Sequence, residues 1–349
     1  MVPPQLLYPL TVESTVQFTY CLDRPLQCIA TKYTCREGSE SAHGSPPGCT
    51  LIFASGISLL QGTWIPLMKE LFRILSAKIN SIWVIERPNH GDAALLNAEV
   101  LKEHYSIQFP SLQYSFAIHT FLTSDILSAS ERSHLIGIGH SGGGGSLIRA
   151  LDYGRREGHE IPLRTLVMLE TPLVGPEAWP FLEILYRSVA KSNARRTTSW
   201  PSKADAMVWY KTHFPWKTFD PDVLTIIEDT YFIPDPRKPG YVTTKTTLEQ
   251  ETACFIDNEN QLQSYLFLRT VLDVLPTHIV CGSLQDLWPA GMYVLIDDNT
   301  RSVRSQLASV TVLPQVGHYF PVVKPQLAAA KIVEIIQQEL HDSDPRSKL

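Results

Sequence analysis

The chain has 349 residues, enough for one large α/β domain with an insertion or for two domains. Its formal net charge is −5 and its basic residues are scattered, so the composition favours neither nucleic acid nor an anionic membrane surface as a partner. Hydrophobic residues make up 44% of the sequence, which is sufficient for a substantial core. No stretch reaches the ~18 apolar residues that a transmembrane helix needs.

The amino-terminal residues and the cysteines both favour a reducing compartment. The opening Met-Val-Pro-Pro-Gln has neither the basic start nor the apolar core of a signal peptide. The cysteines form no C-x-x-C pair and have no paired histidines nearby, so their spacing indicates no zinc site. We therefore expect free structural thiols. The six cysteines are Cys21, Cys28, Cys35, Cys49, Cys254 and Cys281.

Strand and helix patterns alternate along most of the chain. Two alternating segments, 15–20 and 28–33, come first, and residues 36–48 predict an exposed loop because they are rich in Gly, Ser and Pro. Further strands are predicted at 49–54, 81–86, 133–138, 163–169, 277–281 and 309–313, and helices at 64–77, 111–128, 144–157 and 331–340. Such alternation implies parallel crossovers, so the predicted fold class is α/β with a mostly parallel, doubly wound sheet.

The alternation stops between about Pro172 and Asp273. This segment is rich in Trp, Tyr, Phe and Pro, and it has helical pieces but no obvious strand. Roughly a hundred residues is far longer than a crossover needs, so we interpret it as a mainly helical cap inserted between two core strands. The predicted division is a first part of the core at 1–171, a cap or lid at 172–273, a second part of the core at 274–340 and a tail at 341–349.

Residues 139–143 read Gly-His-Ser-Gly-Gly and lie between a predicted strand and a predicted helix. A G-x-S-x-G in that context is typical of a nucleophile elbow, a turn so tight that its flanking positions require glycine. Ser141 would stand at the tip with its hydroxyl exposed. The geometry of the turn points His140 away, so we interpret His140 as structural.

A serine nucleophile needs a base within reach and an acid that orients the base. We predict His318 as the base because it follows Gly317 just after the last predicted strand. Two carboxylates compete for the third position. Asp286 follows the strand at 277–281, where general topology places the acid, whereas Glu170 ends the strand at 163–169 and could also reach the base.

An oxyanion pocket needs two backbone amides. The amide of Gly142 follows the predicted nucleophile, and the amide of Ile57 follows Ser55-Gly56 at the end of the strand at 49–54. Enzymes of this kind usually carry His-Gly there. Since the donor is backbone, Ile57 can serve although Ser55 replaces the histidine.

The chain closes on Ser347, Lys348 and Leu349, after a polar segment that follows the last predicted helix. A terminal Ser-Lys-Leu is the peroxisomal import signal. We therefore expect the peroxisome matrix as the location and the peroxisomal import receptor as a partner.

These motifs resemble a fungal branch of the α/β-hydrolase superfamily that includes peroxisomal hydrolases of AK-toxin-type biosynthesis, mycophenolyl-CoA hydrolase and the yeast peroxisomal lipase. Together the matching pieces span most of the chain. They are Ser55-Gly56 with Trp64, Pro88-Asn89-His90-Gly91-Asp92 with Asn97, the Gly-Ile-Gly-His-Ser-Gly-Gly elbow, Leu166-Val-Met-Leu-Glu170, Glu249-Gln-Glu-Thr-Ala253, Gly317-His318 and the final Ser-Lys-Leu.

The resemblance implies an α/β-hydrolase fold and bears on the choice of acid. In mycophenolyl-CoA hydrolase the acid follows the strand after the elbow, a position that matches Glu170. General topology favours Asp286, so we treat the two carboxylates as equal candidates. The sequence departs from its relatives at two points, with Glu in place of the usual Asp at position 170 and Ser55 in place of His.

The sequence thus predicts a peroxisomal serine hydrolase that cleaves an ester or thioester through an acyl-enzyme, with no cofactor or metal required. Compartment and resemblance suggest an acyl-CoA or a secondary-metabolite acyl ester of a toxin pathway as substrate, and a neutral-lipid ester as the second choice. Two alternatives are an acyltransferase, which the residues do not distinguish from a hydrolase, and a catalytically silent relative that binds a ligand.

Overall fold

The computed structural model describes residues 4–20, 24–35, 48–256 and 259–342. Three of the predictions concern residues outside these ranges. They are the loop at 36–48, of which only Gly48 is described, the cysteine at position 21, and the terminal tripeptide at 347–349. None of the described cysteines forms a disulfide bond.

Eleven strands make up the two sheets of the described residues. They are β1 (Leu10–Tyr20), β2 (Leu26–Cys35), β3 (Cys49–Ala54), β4 (Ile79–Ile85), β5 (Leu135–His140), β6 (Leu163–Leu169), β7 (Ser199–Trp200), β8 (Phe232–Pro234), β9 (Val242–Thr244), β10 (Thr277–Gly282) and β11 (Ser309–Leu313).

The main sheet has eight strands in the order β1-β2-β4-β3-β5-β6-β10-β11. Strand β2 runs antiparallel to both of its neighbours, and every other pair is parallel. All six residues of the central strand β3 are buried, as expected of a strand whose two faces are both covered. The predicted mostly parallel, doubly wound sheet is confirmed.

Helices cover both faces of this sheet and also make up much of the segment between β6 and β10. They are α1 (Pro4–Leu7), α2 (Ile65–Leu75), α3 (Gly91–Leu96), α4 (Ala98–His104), α5 (Ser111–Thr123), α6 (Ala129–Arg132), α7 (Gly142–Arg156), α8 (Trp179–Asn193), α9 (Lys203–Tyr210), α10 (Pro221–Thr230), α11 (Leu248–Ala253), α12 (Glu259–Leu268), α13 (Ala290–Ser302), α14 (Phe320–Val323) and α15 (Pro325–Asp342). Within the described ranges, no helix is long and apolar enough to cross a membrane.

Two layers of helices create two cores. Helices α2 and α15 pack together on one face of the sheet, and α5, α7 and α12 pack on the other. Helix α2 shows the principle, because Leu67, Leu71 and Leu75 recur every fourth residue and are all buried. Burial of one such leucine contributes about 1.5–3 kcal/mol, so Leu71→Ala should cost about 2–5 kcal/mol once the cavity is included.

The chain between β6 and β10 departs from the alternating pattern, as predicted, but it holds more than helices. Strands β7, β9 and β8 form a small antiparallel sheet in that order. The expectation that this segment has no strand is therefore wrong. Helix α12, at the end of the segment, packs against α7 of the core. The division into core and cap at 172–273 stays a prediction.

Candidate active site

The turn between β5 and α7 is the elbow that the sequence predicts. Ser141 has φ 53° and ψ −129°, a conformation that non-glycine residues rarely adopt and that stores strain. A Cβ on Gly139 would lie 2.3 Å from Gly144 Cα, and a Cβ on Gly143 would lie 2.2 Å from the Ala54 carbonyl oxygen. Both flanking positions therefore require glycine, and β5, α7 and the end of β3 hold Ser141 in place.

Ser141 and His318 line the same cavity. Its volume is about 70 Å³, and its other walls come from the elbow, from the loops after β3 and β10, and from the segment between β6 and β10. The lining residues are Ile57, Ser111, Ser141, Gly142, Pro172, Leu182, Leu185, Cys254, Phe255, Leu287, Trp288, His318 and Tyr319. Both predicted catalytic side chains are thus buried at one small, mostly apolar site.

Glu170 is the carboxylate that faces the imidazole of His318. Its Oε2 lies 3.3 Å from His318 Nδ1, and its Oε1 accepts a hydrogen bond from the backbone N–H of Gly282. Glu170 has φ 50°, and its own N–H donates to Val280 O at 2.9 Å. This strained turn at the end of β6 directs the buried side chain back toward the imidazole.

Asp286 contacts the same loop in a different way. Its Oδ1 accepts a hydrogen bond from the backbone N–H of His318 at 2.9 Å, and the residue is exposed. A Cβ on Gly317 would lie 2.0 Å from Asp286 Oδ2, so this carboxylate packs closely over the loop backbone. Asp286 therefore caps the loop that carries His318, whereas Glu170 contacts the imidazole ring of His318.

His140 contacts the loop that carries His318. Its Nε2 lies 2.9 Å from the carbonyl oxygen of His318, and the two ring centroids are 4.9 Å apart. Burial, followed by the neighbouring His318, lowers the pKa of His140 to about 3. A neutral ring can donate to a carbonyl only from a protonated nitrogen, so His140 is the Nε2–H tautomer at neutral pH. This agrees with its interpretation as a structural residue.

The two predicted oxyanion donors lie on the cavity wall. Ile57 and Gly142 both line it. Gly142 is the first residue of α7, so its N–H has no partner inside the helix and is available to an anion.

The loop that carries Ile57 is held at several points. The hydroxyl of Ser55 accepts from Trp64 Nε1 at 2.7 Å, and the N–H of Ser55 donates to the Tyr114 hydroxyl at 3.1 Å. Ser58, with φ 69°, donates its N–H to His90 Nε2 at 2.9 Å. Ser55 therefore anchors the loop through Trp64.

His90, in the Pro-Asn-His-Gly-Asp segment, is hydrogen-bonded to the loop that carries Ile57. Its Nε2 accepts from Ser58, so its Nδ1 carries the proton and donates to Asn89 Oδ1 at 2.9 Å. Burial, followed by the charge of Arg87, holds the pKa of His90 well below its usual range. A neutral His90 thus holds the loop that carries Ile57 in position.

Comparison with known proteins rests on structure. No protein-family model matches the chain, and no curated protein matches its sequence. Solved structures do match over almost the whole chain. The peroxisomal α/β-hydrolase Lpx1 of Saccharomyces cerevisiae superposes with a TM-score of 0.71 at 17% identity, covering 95% of this chain and 90% of Lpx1. The chain has the α/β-hydrolase fold.

Two further neighbours have the same fold. A thioesterase domain from the curacin biosynthetic pathway matches with a TM-score of 0.60 at 15% identity, over 93% of this chain and 100% of the domain. A carboxylesterase structure from Nitrososphaera gargenis matches with a TM-score of 0.60 at 12% identity, over 94% of this chain and 100% of the other. The predicted fold class is therefore confirmed.

In this α/β-hydrolase fold a second, larger cavity of about 670 Å³ adjoins the first. The sequence analysis did not foresee it, since it depends on how the helices after β6 pack. Four residues line both cavities: Leu185, Phe255, Leu287 and Tyr319. This second cavity, called the wide cavity below, is also lined by a buried ion pair between Arg196 and Glu251, whose Nη1 and Oε2 atoms are 2.6 Å apart.

The described residues contain no group of three or more His, Cys, Asp or Glu side chains that could hold a metal ion.

Proposed function

We propose that this protein is a serine hydrolase that cleaves an ester or thioester through an acyl-enzyme. The observation that carries the proposal is the arrangement at one cavity: Ser141 at a strained elbow, His318 on the same wall, and Glu170 3.3 Å from the far nitrogen of that imidazole. Nucleophile, base and orienting acid in this order form the relay that serine hydrolases use.

In the first step, Ser141 Oγ attacks the carbonyl carbon of the substrate while His318 Nε2 accepts the hydroxyl proton. The negative charge on the carbonyl oxygen is stabilised by the N–H groups of Ile57 and Gly142. Removal of one donor of this kind typically costs about 10²–10³ in kcat. Glu170 fixes the tautomer of His318 and stabilises the imidazolium.

In the second step, the tetrahedral intermediate collapses. The bond from the carbonyl carbon to the leaving oxygen or sulfur breaks, and His318 gives its proton to the leaving group. A water molecule then attacks the ester of Ser141 while His318 accepts a proton from it. Release of the acid returns that proton to Ser141 Oγ, so the enzyme is regenerated without a cofactor.

We propose an acyl-CoA or a secondary-metabolite acyl ester, such as that of a fungal toxin pathway, as the substrate. The resemblance to the fungal branch supports this choice, as does the thioesterase activity named for one structural neighbour. The wide cavity gives physical support, because its rim carries the exposed basic residues Lys191 and Arg195, which suit the phosphates of a CoA leaving group. In this proposal, residues 172–273 act as the cap that forms this cavity.

We also propose the peroxisome matrix as the location, through residues 347–349. The support is the Ser-Lys-Leu sequence together with the likeness to a protein whose name describes it as peroxisomal.

The test of the function is a substrate panel with one matched variant. Acyl-CoAs, p-nitrophenyl esters and monoacylglycerols of equal chain length are offered to the wild type and to Ser141→Ala. We expect Ser141-dependent hydrolysis that is fastest with the acyl-CoAs. Fastest turnover of the monoacylglycerols would favour a neutral-lipid esterase instead, and no Ser141-dependent turnover of any member would contradict the serine mechanism.

A further inference from the structure

Arg87 is a buried cation beside the candidate active site that none of the steps above uses. It follows β4 and is only 2% exposed. Its Nε and Nη1 are buried and have no hydrogen-bond partner among the described residues. A guanidinium is always charged and has five N–H donors to satisfy, so this side chain is far from satisfied.

The neighbours of Arg87 do not offset its charge. The guanidinium carbon lies 4.6 Å from the centroid of the Tyr114 ring, and the nearby His90 is neutral. A single cation–π contact stabilises a guanidinium much less than burial of its charge destabilises it, so the ring of Tyr114 offsets only part of that cost. A buried donor left unsatisfied in this way needs a partner such as a water molecule, an ion or a ligand.

The position of the guanidinium relates it to catalysis. Nη2 lies 3.1 Å from the point that a Cβ at position 142 would occupy. Glycine at this position therefore leaves room for the guanidinium beside Gly142, whose N–H is the proposed oxyanion donor. Gly142 lines the cavity that also holds Ser141, so Nη2 lies next to a residue of the cavity wall.

We propose that Arg87 binds a carboxylate carried by the acyl group of the substrate. The substrate would then be the monoester or monothioester of a short dicarboxylic acid. The inference rests on the proposed function and specifies its substrate. A carboxylate matches the fork of donors on a guanidinium and replaces the missing acceptors.

The sizes of the two cavities assign the carboxylate to the acyl side. The cavity at Ser141 has a volume of only about 70 Å³, which admits a compact acyl group. The adjoining cavity of about 670 Å³ takes the leaving group. Arg87 lies next to Gly142 in the wall of the small cavity, so a carboxylate bound by Arg87 in this proposal belongs to a group only a few bonds from the reacting carbonyl.

The first experiment compares esters that share one leaving group. Mono-p-nitrophenyl succinate and p-nitrophenyl butyrate have acyl groups of equal length and differ in one carboxylate. We expect the wild type to prefer the succinate in kcat/KM, and Arg87→Met to reduce the succinate-to-butyrate ratio at least tenfold. Arg87→Lys, which keeps the charge but loses the fork, should retain part of the preference.

A third ester separates charge on the acyl group from charge elsewhere. 4-(Butyryloxy)benzoate carries its carboxylate on the leaving group, so its kcat/KM relative to the butyrate should not depend on Arg87. An equal loss for all three esters in Arg87→Met would mean that Arg87 acts on the oxyanion or on the fold, and it would overturn the proposal. The proposal would also be overturned if Arg87→Met lowered kcat/KM for 4-(butyryloxy)benzoate alone.

A binding measurement distinguishes failure of this inference from failure of the proposed function. Calorimetry with monomethyl succinate and methyl butyrate uses Ser141→Ala with Arg87 present or replaced by Met. We expect only the succinate to bind, and Arg87→Met to weaken its binding at least tenfold. If the succinate binds in this way but the wild type hydrolyses no ester, the anion site stands and the proposed hydrolase function is rejected. If Ser141-dependent hydrolysis is found but binding does not depend on Arg87, the hydrolase function stands and the anion site is rejected.

Thermal unfolding gives a further readout for Arg87. Since Met removes a buried charge whose Nε and Nη1 have no hydrogen-bond partner, Arg87→Met should unfold at the same temperature as the wild type or higher. A clear decrease in Tm would indicate that Arg87 stabilises the fold and would overturn its assignment to substrate binding.

Discussion

Glu170 Oε2 lies 3.3 Å from His318 Nδ1, while the other oxygen of this carboxylate accepts from the backbone N–H of Gly282. The hydrogen bond from Gly282 holds the Glu170 carboxylate in place, and the carboxylate can therefore orient the imidazole of His318. Asp286 reaches only the backbone N–H of His318. The geometry thus gives the two carboxylates different tasks, and the predictions below separate them.

Glu170→Gln should reduce kcat by roughly 10³–10⁴. The amide can still occupy the site, but it neither holds the correct tautomer of His318 nor stabilises the imidazolium. Steady-state kinetics with one fixed ester measure the loss. A variant that keeps more than about a tenth of the activity would remove Glu170 from the relay.

Asp286→Asn is the matched control, and we expect it to keep most of the wild-type kcat. The Asn side chain retains an oxygen that can accept from the His318 N–H, so the loop should lose only about 1 kcal/mol of stability. Urea unfolding and the same ester assay measure both quantities. If Asp286→Asn loses activity as severely as Glu170→Gln, the assignment of tasks from geometry is wrong.

The sequence could predict that Ser141 lies at the turn between a strand and a helix, but not which of the two carboxylates faces His318. Strands β3, β6 and β11 coincide with the predicted segments because each is a short stretch rich in apolar and β-branched residues between turn signals. Glu170 and Asp286 both follow such runs. Their different contacts depend on the φ of 50° at Glu170 and on the hydrogen bond from the His318 N–H to Asp286, and neither feature follows from residue types.

Gly143→Ala should destabilise the protein by at least about 2 kcal/mol. The added methyl would lie 2.2 Å from the backbone oxygen of Ala54, and the end of β3 is unable to move without disturbing the sheet. Gly154→Ala in the same helix is the control, because its nearest neighbour is the movable ring of His119 at 3.3 Å. Urea unfolding of both variants checks the difference. Equal stabilities would show that the elbow tolerates a side chain.

The stability of the protein should fall between pH 6.5 and pH 8 because of Glu86. Burial raises the pKa of this carboxyl to about 8. An unfolded Glu titrates near 4.3, so the folded state holds an extra proton across this interval and the free energy of unfolding decreases as the pH rises. The loss over the interval should be about 1–2 kcal/mol.

Glu86→Gln is the variant that tests this pH dependence. It keeps an oxygen for the hydrogen bond from the Ala93 N–H, which Glu86 Oε2 accepts at 3.0 Å, but it has no proton to lose. Its free energy of unfolding should therefore change less than that of the wild type from pH 6.5 to pH 8. Parallel curves for the two proteins would show that another group causes the dependence.

Deletion of residues 347–349 should move the protein from peroxisomes to the cytosol and leave its activity in vitro unchanged. The import receptor reads the free Ser-Lys-Leu end, which is remote in sequence from every catalytic candidate. Fluorescence microscopy of a fusion that keeps this end free gives the location. A punctate pattern for the truncated protein would show that another signal operates.

Two features lay beyond the sequence for physical reasons. Strands β7, β8 and β9 are two or three residues long, too short for an alternation of period two to become visible. Arg87 is an ordinary basic residue in the sequence. Its burial and its unpartnered nitrogens arise only when Gly142, from a distant part of the chain, leaves room beside it.

The central claim is that Ser141 is a nucleophile activated by His318. Reaction with a fluorophosphonate, followed by intact mass measurement and peptide mapping, tests it without knowledge of the substrate. We predict one adduct on Ser141 in the wild type, none in Ser141→Ala, and a rate reduced by several orders of magnitude in His318→Ala. An adduct on a different serine, or no adduct on a folded wild-type protein, would contradict the account.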